Sequence, residues 1–223
     1  MRGGSMSRRS RIVVEGLAHH IIQRGNRRQK VFFSENDKRL YLSLLKKYCE
    51  KYGVLIWAYC LMDNHVHLVL VPSKIEGFCQ AVGQTHWWYT TIVNKREKWK
   101  GYLWQGRFKS FVLHGNYLKN VVRYVELNPV RAGMVQCAEQ YGWSSARVHI
   151  EGTKDPILDY SPLLDEIVDW KEYLRGEEGV DNLKLFRNHL STGKPLGDKI
   201  FLEELSSKIG IDLTLKKPGP KPK

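Results

Sequence analysis

The sequence predicts an α+β fold, an antiparallel sheet covered by helices. Three observations carry that expectation. Two apolar runs meet at the polar turn Met62-Asp63-Asn64, inside Trp57-Ala-Tyr-Cys-Leu-Met-Asp-Asn-His-Val-His-Leu-Val-Leu-Val71, and read as a hairpin. Helical and strand-like patterns follow one another as strand, helix, strand, strand, helix, strand, helix. At 223 residues, 42% apolar and 11% aromatic, the chain is long enough for one sizeable core plus an appendage.

Residues 1–10 read as a leader and basic arm. Met1-Arg-Gly-Gly-Ser5 precedes Met6 without the apolar core of a signal peptide, and Arg8, Arg9 and Arg11 follow. Leu17–Gln23 reads as the first strand. It ends at Arg24-Gly25-Asn26-Arg27-Arg28, where turn residues carry three arginines suited to clamping a phosphate. A solvated loop is the plainer reading. Ser34 then N-caps a helix, with Asp37 completing a capping box. Leu40, Tyr41, Leu44, Leu45 and Tyr48 form its core stripe, and Gly53 closes it.

In the hairpin, the period of two puts His65 and His67 on one face with Val69 and Val71; Val66, Leu68 and Leu70 point the other way. Two imidazoles at i and i+2 suit a divalent metal. The plainer reading is two polar residues at the wet end of a strand. A second helix spans about Gly77 to Lys98. Phe78, Val82, Thr85, Trp88, Tyr89 and Ile92 give its period, which assigns Trp88 to the core and leaves Trp87 open between core and base stacking. Tyr102–Leu113 is a turn feeding another strand, where Arg107 and Lys109 flank Phe108 and suit backbone phosphates beside an aromatic. Asn116 caps a third helix reaching about Asn128, before Pro129. Tyr124 and Asn128 are i and i+4, so they share a face.

Residues 11–150 are thus expected to form the main domain. Beyond Gly142-Trp143-Ser144-Ser145, residues 151–215 hold helical patterns at Pro162–Leu174, Asn182–Leu190 and Gly197–Ile209, a small helical appendage. Residues 216–223 are a basic tail. Its Lys216 and Lys217 open an extended Lys/Pro segment suited to a nucleic-acid groove, or equally to solubilising the chain.

A net charge of +13 calls for a polyanionic partner, most often nucleic acid. Between Asp155 and Gly179, eight acidic residues stand against Lys171 and Arg175, which leaves the rest of the chain at +19. Four scattered cysteines without Cys-x-x-Cys argue against a zinc ribbon and for reduced thiols in the cytoplasm. No apolar run approaches a membrane span, and no lipidation signal is present.

Two histidines, a tyrosine with an amide one turn on, and a basic surface fit phosphoryl transfer on DNA by a tyrosine nucleophile. A phenol, with a pKa of about 10, is a poor nucleophile at neutral pH. A metal held by His65, His67 and Asn128 would polarise the phosphate and stabilise the charge that develops; Mg²⁺ or Mn²⁺ suits the task. A phosphotyrosine conserves the energy of the broken bond, so rejoining needs no nucleotide cofactor.

The chain also resembles a known family. His65-Val66-His67 matches the histidine–hydrophobic–histidine signature of the HUH nucleases. Together with Arg24-Gly-Asn-Arg-Arg-Gln29, Met62-Asp-Asn-His-Val-His-Leu68, Gln105-Gly-Arg-Phe-Lys109 and Tyr124-Val-Glu-Leu-Asn-Pro-Val-Arg-Ala-Gly133, it resembles the REP-associated tyrosine transposases over roughly residues 11–150. The resemblance implies the ferredoxin-like, RRM-like sheet of the HUH fold. It implies an enzyme that cuts and rejoins single-stranded DNA beside hairpin repeats through a 5′-phosphotyrosine link. It also implies Tyr124 as nucleophile and Asn128 as third metal ligand, a position where some relatives carry Gln. Tyr117 is the rival nucleophile. Family tails often carry Arg-Gly-Arg-Pro where this chain has Lys-Pro-Gly-Pro-Lys. The expected partner is single-stranded DNA with hairpins, with no membrane, bound by a monomer or homodimer at the nucleoid. The alternative, a non-catalytic nucleic-acid-binding module, would want exposed aromatics on the central strands, where His65 and His67 stand instead. A hydrolase using water would leave Tyr124 without a role.

Overall fold

Alternation along the central hairpin sets the architecture. The computed structural model describes residues 11–176 and 180–213; the expectations for residues 1–10 and for the tail, Lys216 and Lys217 included, lie outside them. Strands β1 (His19–Arg24), β2 (Val54–Met62), β3 (His65–Pro72) and β4 (Lys109–Val112) form one antiparallel sheet in the order β2-β3-β1-β4. With helices on both faces, this is the α+β class that the patterning predicts.

Helices α1 (Glu35–Tyr52) and α2 (Ile75–Glu97) cover one face. There Ile21, Val66, Leu68 and Leu70 pack with Tyr41, Leu45, Phe78 and Tyr89 in one hydrophobic cluster. Residues one step out of phase, Ala58, Cys60, Val69, Val71 and Phe111, join a second cluster on the opposite face. Helix α3 (Asn116–Glu126) lies there, with Val121, Val122 and Val125 turned inward. So do residues from α7 (Trp170–Arg175) and α8 (Val180–Thr192): Trp170, Leu174, Phe186 and Leu190 share that cluster. The helical stretch after residue 150 therefore helps to cover the sheet.

Local signals explain most boundaries. The Ser34 hydroxyl accepts from the Asp37 amide while the Asp37 carboxylate accepts from the Ser34 amide, the capping box that starts α1. Gly53, at φ +64°, ends it. Strand β1 begins two residues later than predicted, because Gly16 (φ +72°) turns the chain and its amide donates to Pro72 O.

Three expectations need correction. Trp88 is 39% exposed and Ile92 also faces outward, since Phe78, Val82, Thr85, Tyr89 and Val93 set the buried stripe. Asn116 is the first helical residue of α3 rather than its cap; Gly115, at φ +55°, holds the cap position. The pattern Pro162–Leu174 splits into α6 (Leu163–Glu166) and α7, because the Asp169 side chain accepts from the Glu172 amide and starts a new helix. All four cysteines are free thiols, and among the described residues no helix is long and apolar enough to cross a membrane.

Candidate active site

The two-residue turn Asp63-Asn64 fixes where the histidines stand. Asp63 O accepts from the Val31 and Phe32 amides, and Asn64 O accepts from the Gly25 amide, so the hairpin tip is stitched to the arginine turn. Gly25 is required there, since a Cβ would lie 2.3 Å from Gln29 O. The Asn64 side chain continues the link. Its Nδ2 donates to Arg28 O at 3.1 Å, and its Oδ1 accepts from His65 Nδ1 at 2.5 Å. That bond places the proton on Nδ1 and leaves the His65 Nε2 lone pair free.

His65 and His67 share a face, their ring centroids 5.0 Å apart. His67 is almost fully buried, and His20 of β1 stacks on it at 5.1 Å with Nε2 2.9 Å from His67 Nδ1. Burial lowers the His65 pKa to about 4, with Arg24 adding to the shift. His67 lies well below the ordinary histidine value, through burial first and then the charges of His20, His65, Arg131 and Arg24. Both imidazoles are therefore neutral near pH 7, the form that ligates metals. A metal on His67 Nε2 requires the proton on Nδ1, with His20 Nε2 as its acceptor.

Helix α3 brings Tyr124 to this pair. Its ring meets His67 edge-on at 5.5 Å and His20 at 5.9 Å, and Phe186 of α8 packs on it at 5.5 Å. Arg131 stands over the ring, 4.3 Å from its centroid, and also donates to Tyr124 O. Tyr117 makes no ring contact with either histidine among the described residues. Two residues beyond Tyr124, the buried Glu126 carboxylate accepts from Ser145 Oγ (2.6 Å), His149 Nδ1 (2.6 Å) and Trp170 Nε1 (2.7 Å). This network ties α3 to α5 (Ala146–Glu151) and α7, which fixes the helix that carries Tyr124.

Asn128, at the start of α4 (Asn128–Arg131), donates Nδ2 to Tyr124 O at 3.0 Å and Val125 O at 3.3 Å, which leaves its oxygen as the available donor atom. No hydrogen bond joins it to either histidine. Among the described residues no three His, Cys, Asp or Glu side chains cluster to hold an ion. The two neutral imidazoles stand together, and the amide oxygen of Asn128, the predicted third donor, belongs to the turn that follows Tyr124. These donor types fit a divalent cation that keeps open positions for substrate oxygens.

The predicted DNA contacts divide. Arg24 pairs in register with His65, and its Nε is buried without a partner. Arg27 and Arg28 are exposed in left-handed backbone (φ +51° and +62°), and Asn26 is half-buried. Arg107 and Lys109 are exposed at the start of β4. His20, Asn64 and Arg131 escaped sequence reasoning as site residues. The His19-His20 pair in a strand was the available signal for the first. A cavity of about 1200 Å³ bounded by residues 148–170 contains none of these groups.

The sequence profile of the family described as Transposase IS200 like matches residues 13–128, more than half of the chain. The chain belongs to that family. The matched span includes His65, His67, Tyr124 and Asn128. A Haemophilus influenzae protein named as a REP-associated tyrosine transposase is 25% identical over 116 residues. That match spans 47% of this chain and 66% of that protein, just under two thirds of its length. A solved structure of a REP-associated tyrosine transposase bound to a REP hairpin is similar at a TM-score of 0.57 and 18% identity, covering 71% of this chain and 93% of the other. That likeness shows a shared fold.

Proposed function

We propose that this protein is a metal-dependent transposase that cleaves and rejoins single-stranded DNA at hairpins through a 5′-phosphotyrosine link. The observation that carries the proposal is the placement of the Tyr124 ring against His67, within a set of neutral imidazoles under a basic rim. Bound at His65, His67 and Asn128, Mg²⁺ or Mn²⁺ would polarise the non-bridging phosphate oxygens. The side chains do the rest. Tyr124 Oη attacks phosphorus and loses its proton to water; the Oη–P bond forms as the P–O3′ bond breaks, and the 3′ oxygen leaves as a hydroxyl. Arg131 and Arg24 place positive charge beside an anionic substrate. His20 and Asn64 hold the two imidazoles in the tautomer that presents Nε2. A 3′-hydroxyl from another strand then attacks the phosphotyrosine and releases Tyr124, so no nucleotide cofactor is consumed.

A hairpin partner is supported by the relative solved with a REP hairpin. The test uses labelled hairpin oligonucleotides from repeats beside the gene, with Mg²⁺ or Mn²⁺, read on denaturing gels. The expected result is a metal-dependent covalent adduct that Tyr124→Phe abolishes. Binding without any adduct, across several hairpins and both metals, leaves a DNA-binding module in its place.

A further inference from the structure

Trp87 is 57% exposed and Tyr102 is 87% exposed, so neither large ring serves the core. They border one cleft of about 360 Å³, lined by Gly83, His86 and Trp87 of α2 and by Tyr102, Trp104 and Arg107 of the following segment. Trp88 braces the Trp87 ring edge-on, centroids 4.7 Å apart. Gly83 stands in the interior of α2, where glycine is unfavourable, yet nothing lies within 4 Å of where its Cβ would be. Its missing side chain leaves space rather than relieving a clash. Trp104, in the wall, buries its indole N–H without a partner.

The surroundings are cationic. A second cleft of about 580 Å³, along β4, shares Arg11, Arg107 and Phe108 with the first and adds Lys109. Arg11 lies over the Phe108 ring, 3.7 Å from its centroid, and donates to Phe108 O through Nε and Nη2, so its charge is held in place. On its other side, the Tyr102 segment is bonded to the arginine turn: the Asn26 amide donates to Leu103 O, and the Gln105 amide to Arg24 O.

We propose that this cleft seats one unpaired base of the single-stranded DNA flanking the hairpin, stacked on Trp87 and Tyr102, with its phosphates on the Arg107 and Lys109 side. The proposal rests on the DNA-processing reading above and assigns it a substrate-positioning site that His65, His67 and Tyr124 do not supply. A paired base hides its ring face inside the duplex stack, whereas an unpaired base offers it to aromatic side chains. Adjoining aromatic and cationic walls match the two halves of a nucleotide.

The test is an abasic walk. A fluorescein-labelled hairpin probe with a single-stranded flank is bound by the full-length protein, removing one flank base at a time while keeping its phosphate. One position is expected to weaken binding, from about 5-fold to about 150-fold, the range of a base stacked on aromatics. Trp87→Ala and Gly83→Leu, the second filling the cleft, should each lose affinity for the intact probe and make the abasic change at that position silent. A flat walk with a Tyr124-dependent adduct on the same probe overturns the cleft and keeps the transposase reading. Absence of binding to every hairpin probe removes both. A flat walk with Gly83→Leu shifting the protein to a smaller species in size-exclusion chromatography assigns the cleft to a second copy and overturns the proposal.

Discussion

The two faces of the sheet are built from alternate residues of the same strands and have opposite contents. Toward α1 and α2, Ile21, Val66, Leu68 and Leu70 pack into a cluster with Leu45, Phe78 and Tyr89. Toward α3, the same strands present His20, His67, Arg24 and His65 beside Tyr124, with Glu126 buried a few residues on. Even the dipeptide His19-His20 divides this way. On the first side, His19 accepts from the Val14 amide and meets Leu17 O, so both ring nitrogens are satisfied by backbone. His20, on the second, bonds only His67 and leaves Nδ1 buried without a partner. Burying polar groups costs free energy unless every one is paired. Both sides carry such a cost, at Trp104 Nε1 on the first and His20 Nδ1 on the second, but the second brings His20 and His67 together against Tyr124.

The largest effect expected from breaking this contrast is on chemistry. His67→Ala should lower adduct formation by about a thousandfold per folded molecule, the several kcal/mol that a metal contributes at a developing charge. Gel quantification on protein checked by circular dichroism measures it. One residue along the strand, Leu68→Ala should do the reverse. Leu68 is fully buried on the packing face, so its truncation should cost about 2–5 kcal/mol in urea unfolding while adduct yield per folded molecule is unchanged. If the two variants showed the same profile, the division of labour between the faces would fail.

His20→Phe is the subtler probe. It keeps an aromatic of similar shape against Phe111 and Tyr124 but removes the partner of His67 Nδ1. Loss of such an outer partner should weaken metal affinity about 10- to 100-fold, read by titrating Mn²⁺ against the paramagnetic relaxation of water. Unchanged affinity would make His20 a packing residue like its neighbour.

The parts of this arrangement that were legible in the sequence are those decided locally. The Ser34–Asp37 capping box, the Asp63-Asn64 turn and the common face of His65 and His67 follow from spacings of a few residues. His20 was not legible, because its value depends on β1 pairing with β3 in the register Ile22↔His67, set across 45 residues of chain. The phase of α2 failed for a related reason. Trp88 and Tyr89 are adjacent aromatics, and only packing of Tyr89 against Phe32 and Tyr41 decides which goes inside. Nor does any local pattern announce that Phe186, far along the chain, closes over Tyr124.

The packing side also holds a charge whose behaviour can be signed. Burial pushes the Asp37 carboxyl up, but the Arg96 guanidinium and the Phe33 and Ser34 amides together leave it below the ordinary 3.8. A depressed carboxyl stabilises the fold above its unfolded value, and that stability is lost as pH falls through the lower folded value. Urea unfolding should therefore show an acid limb below about pH 4 that Asp37→Asn flattens, at a cost near 1 kcal/mol at neutral pH for the weakened cap. An unchanged acid limb in the variant would place the titration elsewhere.

Gly83→Ala should have the smallest effect and carries a separate lesson. On the packing side, burial and propensity account for what each residue does, and α2 belongs to that side through Phe78, Val82 and Tyr89. By that rule an interior glycine with open space at its Cβ position is a defect: alanine should stabilise the fold by about 0.5–1 kcal/mol in urea unfolding. A gain of that size would mean that stability does not explain the glycine, and that the outer surface of α2 obeys the logic of the histidine face. No gain, or a loss, would mean that α2 uses the glycine's backbone freedom, and that packing governs the helix through to its solvent side.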